Sequence, residues 1–229
     1  MRTRPLALLA AALLLAGCQG GSDDKKPDTA ELQKRLTAAR ATIDQAETVD
    51  ITLSTPSLPD GVTGLLSATG QGNHTPAFKG KVKVVTGGST LSADVVSADG
   101  ELKAKTSFSP LYLTIDPASL KAPDPAALLD SENGVTQILV KTKALKAGKE
   151  SRDGSDVLTK ITGTLPGSVV RTIIPTADSS ATFTAEYRLT DDDELRDATL
   201  TGPFYPEGGD VTYTVALSTS DEPVTIRVP

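Results

Sequence analysis

From Thr48 onward the apolar residues of this chain fall on every second position, a period that an α-helix cannot bury and a β-strand can. Val49, Ile51 and Leu53 alternate with Asp50, Thr52 and Ser54; Phe78, Val82 and Val84 alternate with Lys79, Lys81 and Lys83; Leu91, Ala93 and Val95 share a face. Near the carboxyl end Phe183, Ala185, Tyr187 and Leu189 stand against Thr182, Thr184, Glu186 and Arg188. Val211, Tyr213, Val215 and Leu217 repeat the pattern, and Val224, Ile226 and Val228 finish the chain. Each run predicts a strand with one apolar and one wet face. Turn signals separate them: Pro59-Asp60-Gly61, Gly87-Gly88-Ser89, Asp99-Gly100, Asp191-Asp192-Asp193 and Glu207-Gly208-Gly209. Spacings of roughly ten residues leave no room for crossover helices and predict one long antiparallel ribbon.

Helical spacing appears in three places. Leu32, Leu36, Ala39 and Ile43 form one apolar stripe between Thr29 and Glu47, with Asp28 or Thr29 as cap and Glu31 at the capping-box position. The middle of the chain breaks the strand rhythm with Pro117, Pro123 and Pro125; Ala126 to Leu129 and Val135 to Val140 then predict short helices. Val169, Val170, Ile173 and Ile174 predict another, with Pro166 in its first turn and Pro175 beyond its end. Lys143 to Lys149 and Val157 to Leu165 read as a further hairpin turning at Asp153-Gly154. The fold class is α+β, a sheet with helices over its apolar face.

Ahead of this domain, Arg2 and Arg4 precede an unbroken Leu/Ala stretch from Leu6 to Leu15, the n-region and h-region of a secretory signal. The stretch is too short for a bilayer, which takes about 20 residues of helix. It closes on Leu15-Ala16-Gly17-Cys18, which resembles the bacterial lipobox; the resemblance implies lipidation of Cys18 and cleavage before it. Residues 19 to 27 are small and polar and read as a flexible tether. The expected organisation is a signal peptide over 1–17, lipidated Cys18 and tether over 18–28, and a folded domain over 29–229, held on the outer face of the cell membrane.

Chemistry is bounded by what the chain lacks. With a net charge of −6 and a pI near 4.9, nucleic acid is excluded as a partner, since that binding needs clustered Lys and Arg. One His, one Cys and one Met leave no material for a His-rich or cysteine metal site or an internal disulfide. His74 sits in a turn-rich segment far from any nucleophile elbow and reads as a solvated loop histidine. Asp191 to Glu194 lacks EF-hand spacing and reads as a solvated turn, and Lys79, Lys81 and Lys83 as a wet strand face. No catalytic residue, metal or cofactor is expected, and the chain reads as a non-enzyme. Aromatic residues are 3% of the chain, so the inner face is carried by Val, Leu, Ala and Ile. Such side chains either fit together as a solid core or leave a dry space suited to acyl chains.

The lipobox, tether, opening helix and strand meander occur here with Asp124-Pro125-Ala126-Ala127-Leu128-Leu129, Asn133-Gly134 and Ile138-Leu139. Gly80-Lys81-Val82-Lys83-Val84, Gly87-Gly88-Ser89, Ala93-Asp94 and Ile161-Thr162-Gly163 complete the set. In this order they resemble the LppX/LprAFG family of actinobacterial cell-envelope lipoproteins. The resemblance implies a curved antiparallel half-barrel packed on helices around an apolar cavity. It implies an acylated lipid or glycolipid ligand carried across the envelope, in some cases alongside a membrane exporter. By position it assigns Val82, Val84, Leu91, Ala93 and Val95 to the sheet lining of the cavity and Ile138, Leu139, Val169 and Ile173 to its helical wall. The other reading the residues leave open is a structural or adhesion lipoprotein that displays a solid domain to a protein or cell-wall partner.

Overall fold

The Asp28 carboxylate accepts a hydrogen bond from the Glu31 backbone N–H at 2.8 Å and so caps the first helix, α1 (Thr29–Gln45). Its predicted stripe is its buried face: Leu32, Leu36, Ala39 and Ile43 are each 3% exposed or less. The computed structural model describes residues 28–120 and 122–229. The expected signal peptide, Cys18 and the tether up to Pro27 lie outside the described residues.

The strands follow as β1 (Thr48–Ser54), β2 (Gly64–Asn73), β3 (Ala77–Thr86), β4 (Ser89–Ala98), β5 (Glu101–Thr106) and β6 (Leu113–Ile115). A bridging segment with 3-10 turns at Ala118–Leu120 and Ala127–Leu129 leads to α2 (Gln137–Lys141), β7 (Lys143–Ala147), β8 (Ser151–Asp153), β9 (Asp156–Pro166) and α3 (Gly167–Ile173). The chain then completes β10 (Thr182–Leu189), β11 (Leu195–Gly202) and β12 (Val211–Ser220). The hairpins are tight where the sequence asked for it. Asp99 and Gly100 turn β4 into β5 with φ of 54° and 76°, the left-handed pair that an Asp-Gly hairpin turn requires.

All pairings are antiparallel, and the order is β6-β5-β4-β3-β2-β1-β12-β11-β10-β9-β7, with β8 on β9. The ribbon read from the sequence is therefore two meanders, joined where β1 pairs β12 from Thr48↔Ser220 to Ser54↔Thr214. The sheet is large, open and curved, and its helices are few. They gather at one end: α1 packs on α2 and β7, and α3 on β9 and β10.

One expectation changes, and strands appear that the alternation did not single out. Residues 224 to 228 form no strand: after β12 ends at Ser220 and the chain passes Pro223, the tail crosses the outer face, with Ile226 buried on Ala77 and Ala98. Asn73 Nδ2 donates to Val224 O at 3.0 Å and Lys103 Nζ to Pro229 O at 2.7 Å, which holds it there. β2 and β11 are strands that alternation did not single out, because β2 is built on Gly64, Gly70 and Gly72 and β11 buries Asp197. That carboxylate is 7% exposed and accepts from Arg188 Nε at 2.9 Å across the outer face.

The scarce aromatics are concentrated. Phe183, Phe204 and Tyr213 stack edge to face in series with centroids 5.0 Å apart at each step, and Tyr205 and Tyr213 share a hydroxyl contact at 2.7 Å. Four of the eight aromatic residues thus form one ladder between β10, β12 and the loop before β12. Tyr187 is fully buried; its hydroxyl lies 2.6 Å from Thr142 Oγ1 and donates to Ile138 O at 3.2 Å.

Burial pushes the phenols of Tyr187 and Tyr213 well above the ordinary value of 10.0. A raised folded pKa contributes stability that is present below the unfolded pKa and lost as pH rises past it. Stability should therefore fall above pH 10, by about 1.4 kcal/mol per pH unit for each phenol. Urea unfolding of wild type and Tyr187→Phe between pH 8 and 11 checks this. The variant should start less stable and decline less steeply; identical slopes would rule out Tyr187 as a contributor.

Candidate functional site

One row of cross-strand partners shows how unevenly the inner face is covered. Ile161, Tyr187, Ala198, Val215, Leu53, Ala68, Val82 and Ala93 stand side by side from β9 to β4. Ile161 and Tyr187 are 0% exposed and Ala198 is 1% exposed, beneath the helices. From Val215 onward every member of the row is only half-buried. The same face of the same sheet is sealed at one end and open at the other, because α1, α2 and α3 cover β7 to β10 and do not extend over β3 to β5.

The residues assigned to the cavity divide across this boundary. Val82 and Ala93 are direct partners, Val84 and Leu91 pair beside them half-buried, and Val95 stands opposite Gly80 at 5% exposure. A depression of about 580 Å³ beside them belongs mainly to the outer face, since Lys81, Lys83, Asp94 and Lys105 line it. Ile138 and Leu139, 2% and 1% exposed, lie in the packed core beneath α1. Val169 is half-buried on α3, and Ile173, at the end of α3, belongs to a larger cleft.

That cleft, about 970 Å³, opens between the bridging segment and the end of α3. Its wall includes Pro117, Ala118, Pro123 and Leu128 on one side and Ile173, Pro175 and Pro206 on the other, with Asp116, Asp130 and Arg171 among them. The sequence reading passed over most of this wall. Its signal was the proline-rich stretch from Pro117 to Pro125, which cannot continue a strand and runs as irregular backbone able to line a cleft. Asp124 ties the stretch to the sheet: its carboxylate accepts from Ser97 Oγ at 2.6 Å and from the Ala126 N–H at 3.0 Å.

Two polar features differ from their expected form. His74 is half-buried, not a solvated loop residue: Nδ1 lies 2.7 Å from Leu129 O and Nε2 2.8 Å from Ile43 O. It fastens the β2–β3 turn to the end of α1 and to the wall of the cleft. In the β10–β11 turn, Asp193 pairs with Arg35 of α1, whose Nη2 also donates to Thr190 O at 2.8 Å. Each has a partner on α1, and His74 a second at Leu129, all distant in sequence, so neither was visible locally. Lys81 does keep the outer face wet, 3.8 Å from Asp94. Among the described residues there is no cluster of His, Cys, Asp and Glu fit to hold a metal, and no helix long and apolar enough to cross a membrane.

Comparisons with known proteins agree with this architecture. The family model described as LppX_LprAFG lipoprotein matches residues 29–226. The lipoarabinomannan carrier protein LprG of Mycobacterium tuberculosis is 31% identical over 183 residues, covering 75% of this chain and 74% of that protein; its Mycobacterium bovis counterpart matches equally. Among solved structures, LprF from Mycobacterium bovis superposes with a TM-score of 0.70 at 16% identity, over 89% of this chain and 99% of that one. LppX from Mycobacterium tuberculosis gives 0.62 at 17% identity, over 87% and 100%. At these identities the two structures share the fold with this chain.

Proposed function

We propose that this chain, which belongs to the LppX_LprAFG lipoprotein family, is a carrier that shelters the acyl chains of a lipid or glycolipid against the uncovered inner face of its sheet and moves them across the cell envelope. The observation that carries the reading is the row from Ile161 to Ala93, in which a continuous apolar face passes from fully buried to half-buried. Leaving Leu53, Val82 and Ala93 short of full burial forgoes about 25 cal/mol for each Å² of apolar surface left in water, and an acyl chain would recover it. Val84 and Leu91 extend the same lining and Val95 stands at its buried border, while Val169 and Ile173 stand on the helical side. Ile138 and Leu139 would support that wall from behind.

The kinship to a lipoarabinomannan carrier supports a multiply acylated glycolipid as cargo and binding, not catalysis, as the activity. In this reading residues 29–229 are the lipid-binding domain, and the lipid on Cys18 holds it at the outer face of the membrane, within reach of the leaflet and of any exporter that supplies the cargo.

A bulky ring at Val82 would occupy the open face. Val82→Trp is expected to keep the wild-type melting curve while losing about 90% of the lipid that co-purifies with the protein, as weighed by mass spectrometry. Full lipid retention by a folded Val82→Trp protein would dismiss this face as the binding surface, and an absence of lipid from wild type would dismiss the carrier.

A further inference from the structure

We propose that the segment from Phe108 to Leu120 is a docking finger that sets into the interfacial layer of the bilayer; this rests on the tethered-carrier reading above. The exposed large apolar side chains among the described residues are Phe108, Leu111, Leu113 and Leu120, at 86%, 67%, 58% and 62%. All four fall in this one stretch. Soluble surfaces carry such residues singly; gathered on one projection they mark a surface made for an apolar partner.

The chemistry of that partner follows from three features. First, the segment offers side chains, not backbone. β6, the outer strand of its edge, is three residues long, and Pro110 and Pro117 flank it, so an incoming strand would find little to pair with. Second, Tyr112 is half-buried with Lys105 Nζ 5.1 Å from its ring centroid. An aromatic body with a cation beside it suits the boundary between acyl chains and head groups.

Third, the reach is right. From Cys18 to Asp28 the chain can span at most about 35 Å, whereas α1, which starts there, is about 25 Å long. The far end of α1 is fastened through His74 to Leu129, in the segment that walls the larger cleft. The tether therefore outreaches the helix, and the finger can face the leaflet that holds the anchor. Asp116, Pro117 and Ala118, in the same segment, line the cleft, so docking brings its mouth to the lipid surface.

The chain has no tryptophan, so one substitution supplies a unique reporter. Phe108→Trp, Leu120→Trp and, at the exposed turn of the opposite meander, Ser155→Trp are placed in full-length anchored protein. Each is reconstituted on phosphatidylcholine/phosphatidylglycerol vesicles with brominated acyl chains. Both finger reporters should be quenched about threefold more than Ser155→Trp, in proportion to the fraction of brominated lipid in the bilayer. Equal quenching at the finger and at Ser155 overturns the proposal and leaves a protein partner for the finger. So does quenching that saturates at one brominated lipid per chain, which would be cargo. Bound acyl lipid, weighed in the same preparations, reports on the carrier separately: cargo without finger quenching removes the docking surface alone, and finger quenching without cargo removes the carrier alone.

Discussion

Phe204→Ala is expected to lower the unfolding free energy by about 4 kcal/mol and the melting temperature by roughly 10 °C. Phe204 is 2% exposed and sits between Phe183 and Tyr213, with an edge-to-face contact on either side. Truncating it removes both contacts and opens a cavity where the surroundings have little freedom to collapse. Beneath lie Gly202 and Phe183, whose ring already occupies the space that a Gly202 side chain would need. In a chain whose apolar content is otherwise Val, Leu, Ile and Ala, this ladder concentrates the large contacts in one place. Urea denaturation measures the loss; a change under about 1.5 kcal/mol would mean that the loop carrying Phe204 repacks and that the ladder is not a unit.

Gly70→Val is expected to cost about 3 kcal/mol, the upper end for overpacking, because three obstacles coincide. Gly70 and Gly80 face each other across β2 and β3, and the Phe78 ring lies over both. A Cβ at Gly70 would come within 2.6 Å of the ring edge and 2.8 Å of the Gly80 Cα, and would clash with the Lys79 carbonyl oxygen. The ring could swing away, but Phe78 is 3% exposed and in the core, and the other two are backbone. An unchanged urea midpoint would show that the strands separate freely there.

Much of the fold could be read from period and punctuation. The helix at Leu32 to Ile43, the strands with clean alternation and the Asp-Gly turn all depend on local chemistry, and each stands where the pattern put it. β2 escaped because its face is made of glycines whose partner is a ring on the neighbouring strand. The tail at Val224 has the alternation of a strand but, past Pro223, lies across the outer face and not at a sheet edge. The shared face of Val82 and Ala93 was legible, since the two must stand together once β3 pairs β4. The surroundings of the helices were less legible: helical spacing marks Ile138 and Leu139 as apolar but does not distinguish a space from the packed core they occupy. Whether a residue lies in the sealed or the open part of the sheet depends on how far the helices extend, which no local pattern encodes.

The seam between β1 and β12 gives the protein a folding order. Each meander can zip hairpin by hairpin across short loops, but the seam brings together the two ends of the sequence, and closing so long a loop carries an entropic cost that local hairpins avoid. It is the contact expected to form last. Helix α1 leaves the first meander to lie on α2 and β7 of the second, so once docked it straps the halves together from above as the seam joins them below. The concave face is therefore a product of the final closure: until the ends of the chain have met, neither half has an inside.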